Sequence, residues 1–357
     1  MTRIAYLPTL ILTLLAACTP EIPENQEFIK TSGVFVLNEG NFTYGNASLS
    51  FIDVETNTIE NQVFFRANGF PLGDVAQSMT IKASTGFIVV NNSGKVLVIN
   101  TKTFTHQATI TGLTSPRYLE IINESKAYIT DLYAHEITII DPNDYTITGT
   151  INTGCSTEQM IRWSDFILVL NWSYGDQILK IDTGSDEVID SLKVTLQPNS
   201  MILDQEDRLW VLSDGGYAGS STGNEIPALT IIDPSSLEII QEFQFPGLDY
   251  SPNHLCTNYT RDTLYFLTTG WAGELTLNTG IYRMSIEDEQ LPDQAWIPQG
   301  DRHFYAMGID PGSSCVYVSD PKDYLQKGMV YRYSSSGILI DSLQADRLPG
   351  FFAFSGE

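Results

Sequence analysis

Cysteine is scarce in this chain, 4 among 357 residues. The last three, Cys155, Cys256 and Cys315, stand far apart, odd in number and without a Cys-x-x-Cys pair. That spacing excludes a disulfide scaffold and a thiolate zinc site, and the three read as small buried or half-buried side chains. Cationic side chains are also few: 19 Lys and Arg stand against 43 Asp and Glu, a formal net charge of −24. So acidic a chain offers no basic surface for nucleic acid or for anionic lipid. The histidines, His106, His135, His254 and His303, show no metal-ligand spacing, and there is no HExxH or phosphate-loop motif. Catalysis is not expected, and neither is a nucleophile elbow. Amphipathic helical periodicity is absent beyond the first residues. The long apolar run, Ile4 to Leu15, is too short for an ordinary membrane span.

What is present begins with that run. Arg3 supplies a short charged start, and the run ends in Leu15-Ala16-Ala17-Cys18, which resembles a bacterial lipobox. Residues 1–17 are therefore expected to be a lipoprotein signal peptide, cut before an acylated Cys18. Residues 18–32, with two Pro and three Glu after the Cys, read as a flexible tether. Lipid chains on such a tether anchor a domain to a membrane without spanning it.

From residue 33 to 357 one phrase recurs every 40 to 50 residues: a turn, a small or prolyl residue, a polar side chain and a new apolar run. It reads Ala76-Gln77-Ser78-Met79, Pro116-Arg117-Tyr118-Leu119, Glu158-Gln159-Met160, Pro198-Asn199-Ser200-Met201 and Pro252-Asn253-His254-Leu255, with looser copies at Tyr305-Ala306-Met307 and Pro349-Gly350-Phe351. Between the copies lie β-rich runs such as Phe166 to Leu170 and Leu209 to Leu212, followed by runs ending in Asp or Asn, as at Asp141, Asp182 and Asp233. A terminal Asp suits a tight turn because its carboxylate accepts from the backbone two residues on. The spacing predicts an all-β fold, a seven-bladed β-propeller with four antiparallel strands per blade. The first clear strand, at Gly33, lacks an inner strand before it, and Gly350 to Phe354 supplies one at the far end. The C-terminal strand is thus expected to join the first blade and close the ring, leaving no sheet edge exposed.

In such a blade the loop into the inner strand and the loop joining strands two and three emerge on one face. The phrase therefore predicts a polar ring at the channel mouth: Gln77, Arg117, Gln159, Asn199 and Asn253, with Glu158 beside it and gaps at Ala306 and Gly350. The second loop set adds Asn41, Phe42, Tyr44, Asn91, Asn92, Tyr133, Trp172, Tyr174, Tyr217, Trp271 and Tyr324. The turns of the opposite face are short and free of aromatics. Amides pair with a ligand's carbonyl and amide groups, and flat aromatics supply contact area at low entropic cost. Arg117 is the cation of the ring, suited to a phosphate or carboxylate. The long loops Asp214–Pro227 and Thr268–Thr279 lie on the same face, and long loops on a rigid scaffold are commonly functional. Glu158, Asn199 and Asn253 also form an oxygen-bearing group that would suit Ca²⁺, broadly as in propeller lactonases.

The stretch Val36 to Ala47 and the run Phe64 to Met79 are followed by Ser115-Pro-Arg-Tyr118, Ser156 to Met160, Asn171-Trp-Ser-Tyr174, Asp214-Gly-Gly-Tyr217 and Gly328 to Tyr333. Together they resemble the surface cobalamin-binding propeller lipoproteins of gut-type Gram-negative bacteria, the BtuG family, which are related to YncE-like and surface layer proteins. The resemblance implies a lipid-anchored propeller on the outer-membrane surface. It would capture vitamin B12 and other corrinoids and hand them to a TonB-dependent, BtuB-like transporter, with cobalamin as transported ligand and no cofactor. Two alternatives stay open: a Ca²⁺-dependent lactonase-like hydrolase, and a scaffold for a protein partner.

Overall fold

The computed structural model describes residues 33–269 and 279–355. The expected signal peptide, Cys18 and the tether lie outside the described residues, as does Trp271. Among the described residues, seven four-stranded antiparallel sheets follow one another along the chain. The sheet around Gly33–Asn38 takes its inner strand from the C-terminus, Pro349–Ser355. Val34 sits opposite Phe354 and Val36 opposite Phe352, and the Gly33 amide donates to Ser355 Oγ at 2.6 Å. The seven-bladed ring and its closure are as the sequence predicts.

Each blade shows why its residues take these places. The middle strands, such as Leu209–Ser213, are buried at every position because a neighbouring blade covers each face, so their sequences are continuously apolar. The outer strands, such as Glu187–Lys193, are largely exposed and polar. Where a third strand closes on Asp, its carboxylate caps the next turn: Asp182 Oδ1 accepts from the amides of Gly184 and Ser185 at 3.0 and 2.7 Å, and Asp53 Oδ1 from those of Glu55 and Thr56 at 3.0 Å each.

The core is divided in the same way. Seven apolar clusters lie between successive blades, one at each seam. Trp210, fully buried at the seam of blades five and six, also shows how polar atoms are satisfied there: its indole N–H donates to Asp204 Oδ2 at 2.7 Å. Cations also fasten the seams. Lys126 bonds Asp186, Lys180 Nζ donates to the carbonyls of Pro234 and Ser235 at 2.9 and 2.7 Å, and Arg332 reaches Asn57 at 2.7 Å.

Two short elements depart from the all-strand reading, one of them a single 3-10 turn at Asn91–Ser93. After the three-residue outer strand Thr58–Glu60, Val63–Asn68 forms a short helix that buries Val63 and Phe64. It ends at Gly69, whose φ of 76° lets its amide turn back to Phe65. Six residues are too few to give a helical period in the sequence. Among the described residues no helix is long and apolar enough to cross a membrane.

Candidate ligand-binding funnel

Most of the inner strands begin with a backbone irregularity. The ladder slips between Ala76 and Ser78, between Pro116 and Leu119, and between Pro198 and Ser200. A bulge of this kind re-aims one side chain. The re-aimed residues are Gln77, Arg117 and Asn199, and the matching places in blades four, six and seven carry Glu158, Asn253 and Tyr305. Glu158 thus takes the ring position in blade four. Gln159 comes one place later, and its amide clasps the next blade through Met201 N and O at 2.8 and 3.3 Å. The gap expected at Ala306 is occupied by the preceding Tyr305. The gap at Gly350 is real and is filled from elsewhere: a Cβ at Gly350 would fall 2.1 Å from Glu39 Oε1.

The ring is a bonded belt. Arg117 Nε donates to Glu158 Oε2 at 2.8 Å and its Nη1 to Gln77 Oε1 at 2.6 Å. Tyr305 donates to the Glu39 carboxylate, 3.0 and 3.2 Å from its two oxygens. Asn199 Nδ2 donates to the Pro252 carbonyl at 2.8 Å. Arg117 is therefore not a free cation awaiting a phosphate. Two of its three guanidinium nitrogens are already committed, and Lys322, held by Asp320 and Tyr331, is a second cation on the wall.

Above the belt the two loop sets enclose a funnel of about 1250 Å³ lined by residues of all seven blades. Its wall carries Phe42, Trp172 and a cluster of His303, Tyr305 and Tyr324. Trp172 is tethered by its indole N–H to Asp214 Oδ2 at 3.3 Å, and the same oxygen accepts from Asn199. Tyr324 Oη pairs with His303 Nε2 at 2.8 Å, its ring meets Tyr305 edge-on at 6.0 Å, and its carbonyl accepts from Asn41 at 2.6 Å.

Burial sets the charges here. Desolvation pushes the Glu39 carboxyl up to about 7 against the Tyr305 hydrogen bond and the pull of Arg117. Burial also raises Glu158 despite Arg117, and its Oε1 is enclosed with no hydrogen-bond partner. Asp214 is raised by burial too. Burial lifts Tyr118 to about 12 and lowers His254 to about 4, so its imidazole is neutral at ordinary pH.

Residues 32–352 match the family described as "Domain of unknown function (DUF5074)". The chain belongs to the DUF5074 family. No curated protein matches it. Its fold is similar to that of a quinonprotein alcohol dehydrogenase-like protein from Bacteroides thetaiotaomicron, at 13% identity and TM-score 0.68, covering 92% of this chain and 79% of that one. A protein from Lactobacillus plantarum aligns at 12% identity and TM-score 0.66, over 90% and 99% of the two chains. A putative 6-phosphogluconolactonase from Bacteroides fragilis aligns at 13% and 0.64, over 91% and 98%. At such identity the likeness is one of fold.

In this DUF5074 propeller the funnel gathers Asn41, Phe42, Gln77, Asn91, Arg117, Glu158, Gln159, Trp172, Asn199, Asn253 and Tyr324 from the residues singled out in the sequence. Tyr44, Asn92, Tyr133, Tyr174 and Tyr217 do not line it. Tyr44 and Tyr133 stand in solvent, 77% and 67% exposed, because their loops turn outward. Asn92 is bonded to Asp74 at 2.5 Å, and Tyr174 pairs with Tyr217 through hydroxyls 3.1 Å apart. Glu158, the residue suited to Ca²⁺, has one oxygen in the Arg117 pair. Among the described residues no group of three His, Cys, Asp or Glu is arranged around a metal position. The letters Gly219-Ser-Ser-Thr-Gly223 spell G-x-S-x-G, a match the expectation of no nucleophile elbow overlooks. They lie in an irregular loop and not at a strand-to-helix turn, so no elbow forms. Sequence reasoning missed Glu39, Tyr305 and His254 as wall residues. The available signal for Glu39 was Gly350, a ring place without a side chain that something else must fill.

Proposed function

We propose that this DUF5074 propeller is a non-enzymatic capture protein that seats a corrinoid in the funnel, held at the outer-membrane surface by a lipid on Cys18 and passing its ligand to a TonB-dependent transporter. The observation that carries the reading is the funnel itself. Pockets for drug-sized ligands run about 300–1,000 Å³, and this one is larger, at about 1250 Å³. A corrinoid is a broad planar ring edged with amide side chains. Planar aromatics at Phe42, Trp172 and Tyr324 offer faces for such a ring, and the wall amides offer donors and acceptors for its edge.

Titration calorimetry of the purified full chain with cyanocobalamin tests this, run in parallel with and without Ca²⁺. The expected result is one-to-one binding, without turnover and indifferent to Ca²⁺. A folded protein that gives no heat refutes corrinoid capture, and heat that depends on Ca²⁺ moves the reading to a metal-dependent hydrolase.

A further inference from the structure

In blades two, four and five the side chain just after the ring residue bonds the next blade. Ser78 Oγ donates to the Arg117 carbonyl at 2.6 Å, Gln159 clasps Met201, and Ser200 Oγ accepts from the Leu255 amide at 2.9 Å. Blade six has His254 there. Among the described residues, His254 makes no hydrogen bond to blade seven. Its backbone is left-handed, φ 55°, and the ladder breaks between Asn253 and Cys256. Its counterparts Ser78, Gln159 and Ser200 are not left-handed. Histidine tolerates this conformation better than most residues, yet it carries strain, and strain held by a fold commonly marks a functional position. The result is an imidazole on the funnel wall with no bond to the neighbouring blade among the described residues.

The ring's tautomer follows from its neighbours. Asn253 Nδ2 donates to the Ser251 carbonyl and to Thr269 Oγ1, each at 3.2 Å, which fixes Oδ1 as the acceptor side of that amide. His254 Nδ1 lies 2.7 Å from Asn253 Oδ1, so Nδ1 carries the hydrogen. Nε2 is left with its lone pair and no partner among the described residues. His303 differs: its Nε2 faces a tyrosine hydroxyl that either donates or accepts, which pins no tautomer.

We propose that His254 Nε2 is an axial ligand to the metal of the bound macrocycle. This rests on the corrinoid reading above. An imidazole whose far nitrogen is tied to a protein oxygen is the usual arrangement of a metal-ligating histidine, and neutral imidazole suits first-row transition metals. The step is a ligand exchange. A cobalt–nitrogen bond forms, a cobalt–water bond breaks, the water leaves, and no electron or proton moves because the hydrogen stays on Nδ1.

The test uses cobinamide, a corrinoid that lacks the nucleotide base and so brings no axial nitrogen of its own. It is bound to the full chain, reduced chemically to cobalt(II) and examined by electron paramagnetic resonance. The expected spectrum shows a three-line nitrogen splitting that becomes two-line when the protein is grown with heavy-nitrogen histidine. The splitting is expected to persist in His303→Gln and to vanish in His254→Gln. Bound cobinamide without nitrogen splitting overturns the inference while leaving capture intact, and so does a splitting that survives in His254→Gln. If that variant does not fold, the isotope pattern in His303→Gln decides, because His254 is then the one histidine left among those lining the funnel. Cobinamide and cyanocobalamin both failing to bind removes the capture reading, and this inference with it.

Discussion

Glu39 shows how much a single residue settles in this fold. It occupies the space that a side chain at Gly350 would need, and burial brings its carboxyl to about 7. A carboxyl whose folded pKa is raised is penalised once the unfolded chain has ionised. Its folded state therefore loses stability as pH climbs from about 4.5 to about 7. At roughly 1.4 kcal/mol for each tenfold change in proton affinity, the penalty approaches about 3 kcal/mol at most. Glu39→Gln keeps an acceptor for Tyr305 and removes the charge. Urea unfolding is expected to show the variant matching the wild type near pH 4 and exceeding it by about 1–3 kcal/mol at pH 8. A difference that does not change with pH contradicts this account of the site. His254 works in the opposite sense. Held at about 4, it adds stability that is lost as pH falls from about 6.5 toward 4. Neither effect was legible in the sequence, because each depends on how deeply neighbouring blades enclose the side chain.

At the scale of the element, the strands were plain in the sequence because two-sided burial writes itself as continuous apolar runs, and the Asp-capped turns mark their ends. The ring position was legible to within one residue. Where each inner strand starts has no composition of its own, and in blades four and seven it starts after the ring residue, at Met160 and Met307, so Gln159 and Glu158 exchanged roles and Tyr305 was taken for a gap. The loops were legible as a set but not one by one: Trp172 and Tyr133 look alike in sequence, and only the bond from Trp172 to Asp214 turns one of them inward. The seams also rest on bonds that sequence does not announce. Lys180 is buried, 6% exposed, over the ring of Phe166 at 4.5 Å, and donates to two carbonyls of the next blade. Lys180→Ala leaves those carbonyls unpaired and removes a cation–π contact. Thermal or chemical unfolding is expected to show a loss of about 2–4 kcal/mol. A change under about 0.5 kcal/mol would mean that the lysine only shields the seam.

For the whole molecule, closure matters most. The strand Pro349–Ser355 is the inner strand of the first blade, and its loss exposes the edge of Gly33–Asn38 and the seam clusters on both sides. Deleting residues 349–357 is expected to abolish cooperative unfolding and leave aggregated or loosely packed protein. A soluble monomer with a native near-ultraviolet spectrum would contradict the closure. A ring closed in this way holds the walls of a wide mouth at fixed spacing, which a rigid planar ligand requires. We propose that this mouth, and no other surface, takes the corrinoid. The most direct test is calorimetry of cyanocobalamin against the wild-type chain and against Phe42→Ala and Trp172→Ala, with the outward-facing Tyr133→Ala as control. One-to-one binding by the wild type is expected, with a loss of about 1–3 kcal/mol at each funnel position and almost none at Tyr133. Binding that ignores both funnel substitutions, or no binding by the folded wild-type chain, would contradict it.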